Sequence, residues 1–268
     1  MDLCDEPAFF RLHDPLQRLA THRAAHDQGY YAITRKTNIK DAVEAVGVPH
    51  TEVGAILVKE RYVSFSYIPN PGDRILVLEE IEPLNPLRPS LLRPEPLASL
   101  RFLVDENIFA LGILLRAMNC DVVQAREIIK YTGENYIDQD TRIAQFVLEN
   151  GMFVLSKDRN LLKRNAITHG RLVRSAYTDD QCVEIIRLLG LNKPKAYCSR
   201  CLRCNTRLES VDKAQILHRL EPKTILYYYD FVQCPECLRI YWKGSHYEAL
   251  KKRMNSIFAY AQKRVIRS

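Results

Sequence analysis

The sequence predicts an α/β protein built around a parallel, doubly wound sheet, and three observations carry that prediction. First, the apolar runs Phe102-Leu103-Val104 and Met152-Phe153-Val154-Leu155 are uninterrupted, as in strands buried on both faces. Second, both runs stop abruptly at polar or acidic residues, Asp105-Glu106 and Ser156-Lys157-Asp158. Third, helical spacing lies between the strands: Ile108, Leu111, Leu115 and Met118 follow the first run, and alternating strand and helix argues for a parallel sheet.

The chain ahead of this unit, residues 8–82, reads as a small mixed domain. Tyr30-Tyr31-Ala32-Ile33 is a strand, and Thr37 or Asn38 can cap a helix over 39–46 that stops at Gly47. Strands at 55–58 and 74–77 follow, with Gly72-Asp73 as a turn. Strands around one helix in this order suggest a β-grasp arrangement. His50 reads here as a loop or packing histidine. Pro83, Pro86, Pro89, Pro94 and Pro96 then make residues 83–99 an extended linker.

The sheet domain occupies 100–192. After the first strand and helix, Asn119 stands where a residue tolerant of positive φ is needed, and Asp121-Val122-Val123 opens a second strand. A helix over 138–149 ends at Asn150-Gly151. The strand at 152–155, a short helix over 160–165, a strand at 172–174 and a helix over 180–189 stopped by Gly190 complete it.

Residues 196–250 hold the cysteine pairs Cys201-Leu202-Arg203-Cys204 and Cys234-Pro235-Glu236-Cys237. Each pair can present two thiolates to one tetrahedral Zn²⁺ ion, and a closed four-cysteine site is structural rather than catalytic. Cys198 is a competing ligand, ranked as an extra. Short cysteine spacings fit a metal site in a reducing compartment, so the cytoplasm is expected. The opening MDLCDEPAFF has no basic-then-apolar signal pattern and no apolar run is long enough to span a membrane. The formal charge is +7, and from residue 200 onward 14 Lys/Arg stand against 6 Asp/Glu. Residues 251–268 read as a basic tail. Such an excess favours a polyanionic partner, nucleic acid before membrane.

Chain direction in a parallel sheet brings the ends of both apolar strands to one edge, where ligands collect in such folds. Asp105 and Asp158 follow those strands, and Asp140 lies in the first turn of the helix between them. Clustered carboxylates raise one another's pKa, and a hard divalent cation such as Mg²⁺ or Mn²⁺ relieves that cost. The bland alternative is helix capping for Asp105 and Ser156 and a helix-dipole role for Asp140. Lys157, Arg159, Lys163, Arg164, Arg171 and Arg174 surround Asp158 and suit a phosphate backbone, or else form a solvated basic face. Tyr227, Tyr228, Tyr229, Phe231, Tyr241, Trp242 and Tyr247 interleave with Lys243 and His246. Aromatics beside cations can stack unpaired bases, although most of these rings are expected to pack the ribbon's core.

FLVDENIFALGILLRAMNCDV, VLSKDRNLLKR, THGRLVRS and the cysteine pairs ending in IYWKGSHYE resemble the Mut-seven C-terminal RNase family, PIN-like nucleases with an attached zinc ribbon. GVPHTEV, SFSY and GDRILV look like the ubiquitin-like β-grasp domain that precedes that nuclease. The resemblance implies a PIN-like parallel sheet with helices on both faces, metal-dependent RNA cleavage, Asp105, Asp140 and Asp158 as Mg²⁺ or Mn²⁺ ligands, and Ser156 as the hydroxyl residue two before the last acid. It leaves Asp179 or Asp180 as a fourth acid. RNA contacts are expected from Lys157, Arg159, Lys163, Arg164, Trp242, Lys243 and His246. Phe109 and Ile113 stand where the family usually has a small residue and an arginine. The β-grasp domain runs into the proline linker without a Gly-Gly, which points to protein, ribosome or RNA docking rather than conjugation. The rival expectation is a non-catalytic RNA- or ribosome-binding adaptor on a degenerate nuclease scaffold.

Overall fold

Ala8, Phe10 and Leu12 alternate inward along β1 (Ala8–Leu12), while Arg11 between them is exposed. This strand is absent from the sequence expectations. The computed structural model describes residues 6–21, 29–129 and 138–263. After α1 (Asp14–Gln17) come β2 (Tyr30–Ile33), α2 (Ile39–Ala45), β3 (Val53–Val58), β4 (Arg61–Tyr62) and β5 (Arg74–Glu79). The sheet order is β2-β1-β5-β3-β4, with β1 and β5 parallel at the centre and the other pairs antiparallel. Asn38 caps α2 by accepting from the Asp41 N–H at 2.8 Å, and the helix stops before Gly47 at φ 105°. Ile39 and Val43 of α2 are fully buried, as are Val53 and Ile56 of β3 and Val77 of β5. The expected β-grasp order is thus realised, as a ubiquitin-like sheet and helix.

The proline-rich segment is irregular but not free. Leu92, Arg93 and Leu97 are buried. The Arg93 guanidinium donates to Glu80 at 2.8 Å and to the carbonyls of Thr51, Val53 and Thr168 at 3.0–3.1 Å. A buried arginine with that many acceptors works as a fastener, because removing any partner would leave a desolvated donor. The segment is a strap rather than a spacer.

The chain continues through β6 (Arg101–Val104), α3 (Phe109–Ala117), β7 (Asp121–Gln124), α4 (Ala125–Ile129), α5 (Gln139–Asn150), β8 (Phe153–Ser156), α6 (Arg159–Leu162) and β9 (Gly170–Leu172). β6 pairs in parallel with β8, and β8 with β9, placing Phe102 opposite Phe153 and Val154 opposite Gly170. Every residue of β8 and β9 is buried, which is why their sequences show no alternation. β9 lies two residues earlier than the expected 172–174. A Cβ at Gly170 would approach Leu162 Cδ2 at 2.9 Å and the Val154 carbonyl at 3.0 Å, so this glycine permits close packing instead of breaking the strand.

By contacts the chain divides into Met1–Asn107 with Ala125–Arg174, and Ile108–Gln124 with Ser175–Ser268. The first unit therefore holds both the ubiquitin-like sheet and the β6-β8-β9 sheet. Glu52, fully buried beside β3, joins them: it accepts from the Leu172 N–H and from Arg174, each at 2.7 Å, with Arg171 3.4 Å away.

In the second unit α3 and β7 come together with α7 (Thr178–Leu189), β10 (Glu209–Val211), α8 (Lys213–Ile216), α9 (Pro222–Tyr227), β11 (Phe231–Gln233), β12 (Ile240–Trp242) and α10 (Ser245–Gln262). β10, β11 and β12 form an antiparallel three-stranded ribbon. The expected basic tail is mostly helical. Met254, Ile257, Phe258 and Ala261 bury one face of α10, which packs on α7. Arg187 of α7 donates to the carbonyls of Ala261 and Tyr260 at 3.0 and 2.9 Å, satisfying the end of α10. Residues 264–268 of that expected tail lie outside the described residues. Among the described residues no helix is long and apolar enough to cross a membrane.

Candidate active site

Asp105 leaves β6 still in register, its N–H donating to the Leu155 carbonyl at 3.0 Å. Its half-exposed carboxylate accepts three hydrogen bonds. Oδ1 takes the Glu106 N–H at 2.7 Å, and Oδ2 takes Asn107 Nδ2 at 2.8 Å and Ser156 Oγ at 2.6 Å. Ser156, fully buried at the end of β8, accepts in turn from the Asp158 N–H at 2.8 Å. One hydroxyl thus links the two strand-end acids. Asn107 adds a second link, because its Oδ1 accepts from the Lys157 N–H at 3.3 Å. Sequence reasoning passed over Asn107; its signal was an amide two residues past a strand-end acid.

Asp158 also caps α6, its Oδ1 accepting from the Asn160 N–H at 2.7 Å. Capping and a site role coexist there, since one carboxylate oxygen suffices for the cap. On α5 the cap is Asp138, whose Oδ1 accepts from the Asp140 N–H at 2.9 Å and the Thr141 N–H at 3.4 Å. That leaves the Asp140 carboxylate, one residue into the helix, free of the capping task. Partial burial raises the Asp140 pKa, and the negative charges of Asp158, Asp138 and Asp105 raise it further, against the opposing Arg164. The three acids therefore share one electrostatic neighbourhood. A carboxyl group driven toward its proton by other carboxylates is a site that a hard cation would relieve, so the donor set fits Mg²⁺ or Mn²⁺. The acids are more widely spaced than the cysteines described below. Among the described residues only those four thiols form a group of three or more such side chains with ligand atoms within 4.8 Å of one another.

The basic residues near Asp158 have distinct occupations. Lys157 is exposed. Arg164 lies 3.1 Å from Asp138 and 3.9 Å from Asp140. Arg159 Nη1 donates to the Leu19 carbonyl at 2.6 Å, and Lys163 Nζ to the Glu44 carbonyl at 2.8 Å. Arg171 and Arg174 are taken up by Glu52 and Glu79.

Cys201, Cys204, Cys234 and Cys237 form the second centre. Their Sγ atoms converge, with Cys201 and Cys237 3.7 Å apart. That matches the sulfur–sulfur spacing of about 3.8 Å that a tetrahedral ion with ~2.3 Å zinc–sulfur bonds requires. Backbone N–H groups of Cys204 and Cys237 point at the sulfurs of Cys201 and Cys234 at 3.4 and 3.5 Å. Burial opposes ionisation of Cys201, but the Tyr241 hydroxyl at 3.2 Å and the surrounding N–H groups outweigh it and bring the thiol down to about 7. Such a thiol can lose its proton to solvent and offer a thiolate to a metal. Cys198 stands outside the cluster, its thiol pushed up to about 11 by burial.

The first knuckle is held from α3 and the turn after it. Fully buried Arg116 donates to the carbonyls of Arg203 and Leu202 at 2.7 and 3.2 Å, and to Val122 at 2.7 Å. Asn119, at φ 70° as the sequence anticipated, accepts from the Ser199 N–H at 2.8 Å. The Mut7-C RNAse domain model matches residues 100–254, and the Mut7-C ubiquitin model matches residues 6–85. The first match alone spans more than half of the 268 residues. The chain belongs to the Mut7-C RNase family. No curated protein and no solved structure matches it.

The Mut7-C ubiquitin match coincides with the five-stranded sheet and α2. The Mut7-C RNase match begins just before β6, takes in all three acids and both cysteine pairs, and ends within α10. The ribbon is therefore part of the Mut7-C match. Trp242 on β12, Lys243 just after it and His246 at the start of α10 are exposed. Trp242 also contacts Tyr228 and Phe231, and Tyr227 and Tyr229 are well exposed. Asp179, one of two candidates for a fourth acid, is 2.6 Å from Arg253 of α10, while Asp180 is exposed.

Proposed function

We propose that this Mut7-C protein is a metal-dependent ribonuclease that hydrolyses RNA phosphodiester bonds at Asp105, Asp140 and Asp158. The observation that carries the reading is the Ser156 hydroxyl, which donates to Asp105 and accepts from the Asp158 N–H. Two strand-end acids tied through one buried hydroxyl form a preorganised pair, and Asp140 completes an acidic set whose mutual repulsion calls for a cation. Mg²⁺ or Mn²⁺, when bound, supplies positive charge for a phosphate oxygen and makes water a better nucleophile.

The chain's own residues have the following roles in this reading. Asp105 and Asp158 offer the carboxylate lone pairs that their N–H, amide and hydroxyl donors leave over. Asp140 gives up its proton to become the third ligand. Ser156 is a positioning residue, because both its donor and one acceptor direction are already used. Lys157, exposed beside Asp158, meets the phosphate backbone, and Trp242, Lys243 and His246 give the ribbon a stacking and cationic surface for RNA. Arg164 balances Asp138 and Asp140 rather than serving RNA first. Zn²⁺ at the four cysteines has a structural role. RNA is the proposed partner, and a reducing cytoplasm the proposed compartment, given a cluster of free thiols.

The test is cleavage of structured and single-stranded RNAs with and without Mn²⁺ or Mg²⁺, beside Asp158→Asn. Metal-dependent cleavage that the variant loses while retaining RNA binding supports the enzyme. Equal cleavage by the variant would remove the proposed site, and binding with no cleavage by either protein would favour the adaptor.

A further inference from the structure

The segment after Asp158 has little helix of its own to hold its direction. α6 has four residues, Arg159–Leu162, and an isolated helix of that length is unstable in water. The N–H of its second residue, Asn160, donates to the Asp158 carboxylate, so any swing of α6 re-aims one of the proposed site acids. Leu161 and Leu162 seat one side of α6 on β8 and β9, and the polar tethers of the segment come from the ubiquitin-like fold. Arg159 Nη1 donates to the Leu19 carbonyl just after α1 at 2.6 Å. Lys163 Nζ donates to the Glu44 carbonyl of α2 at 2.8 Å. Lys40 of α2 donates to Asn165 Oδ1. His50 contacts the Ile167 carbonyl through Nε2 at 2.8 Å and Glu44 Oε1 through Nδ1 at 2.6 Å. Four tethers thus reach residues 159–167 from one domain, and all the partners lie in the same compact unit.

We infer that the ubiquitin-like domain acts in cis as a positioning element for the acidic site, gripping α6 through Arg159 and Lys163 so that Asp158 is held at a fixed angle. The inference rests on the ribonuclease reading for its functional consequence, but the grip itself does not depend on it. It also separates two uses of a cation that sequence patterning cannot distinguish. A lysine or arginine beside a nuclease acid reads as a phosphate contact, whereas these two spend hydrogen bonds on main-chain carbonyls of another domain. Partial burial lowers the Lys163 pKa, against the raising influence of Glu44, which fits an ammonium enclosed by protein more than one displayed to RNA. The accessory domain then needs no partner to matter for activity, since its α1–α2 side is already used on its own chain.

The experiment uses the full chain with Arg159→Met, Lys163→Met, the double variant and the conservative Lys163→Arg. Amide hydrogen exchange of the metal-free proteins is followed over residues 157–169, together with thermal unfolding, RNA affinity by fluorescence anisotropy, and Mn²⁺-dependent cleavage. The expected result is exchange in 157–169 at least about 10-fold faster in the double variant, with the remaining peptides and RNA affinity unchanged. A fall in kcat of about 10²-fold is also expected, the scale of a small misplacement in an active site, with partial recovery in Lys163→Arg. Weaker RNA binding with unaltered exchange would overturn the inference and return both residues to the RNA surface. Unaltered exchange with unaltered cleavage would overturn it too. If the wild-type protein does not cleave RNA, the ribonuclease reading fails by itself, and the exchange measurement still decides whether the grip exists.

Discussion

A carboxylate that accepts three hydrogen bonds has few directions left, and at Asp105 those directions are set by Glu106, Asn107 and Ser156. At Asp140 the control is electrostatic. Its raised pKa means that the proton leaves at a higher pH than from an ordinary aspartate, so a cation competes with that proton at mildly acidic pH. Asp138→Asn keeps an acceptor for the α5 cap while removing one charge that raises Asp140. The Asp140 pKa then falls, and the acid limb of a kcat/KM–pH profile in Mn²⁺ should move to lower pH. A shift to higher pH would contradict this assignment of charges. At this scale the acids were legible because each sits beside an unmistakable strand or helix start. Asn107, Arg93 and Arg116 were not, because their importance comes from burial and from acceptors distant in sequence.

Whole elements were read best where a terminus carries its own chemistry. Asn38, Gly151 and Gly190 mark helix ends as the sequence predicts, both glycines lying in the left-handed region. α10 departs from the expected basic tail because Lys251, Lys252 and Arg253 mask the helical spacing of Met254, Ile257, Phe258 and Ala261 further on. β9 begins ahead of the expected strand because Gly170 is a packing residue rather than punctuation. A comparable glycine tests β3: a Cβ at Gly54 would meet the Glu80 Cα at 2.5 Å and the Glu79 carbonyl at 2.7 Å, beside the register shift between β3 and β5. Backbone cannot yield as a side chain can. Gly54→Ala is expected to destabilise the protein by about 1–3 kcal/mol, measured as a lower urea midpoint at unchanged slope. A midpoint within error of wild type would show that the strand relaxes freely.

At the scale of the molecule the two centres answer to different tests. If the four cysteines take zinc, metal analysis should find one ion per chain, and Cys234→Ser should lose it, with a lower thermal midpoint that added zinc does not restore. Retention of a full equivalent by Cys234→Ser would point to another ligand set, with Cys198 the first to check. The pattern of domains read along the sequence is only partly the pattern of compact units, because residues 108–124 belong with 175–268 although they interrupt the other unit. Apolar periodicity shows that α3 and β7 exist but not which neighbours they keep. That interruption sets a timetable during synthesis. Arg116 and Asn119 are translated long before the knuckle they hold, and 113 residues separate Gln124 from Cys237. At ~5–20 residues per second, Arg116 and Asn119 are made about 5–20 s before the second cysteine pair, so the arms that hold the first knuckle are in the chain well before the four-thiol centre can close.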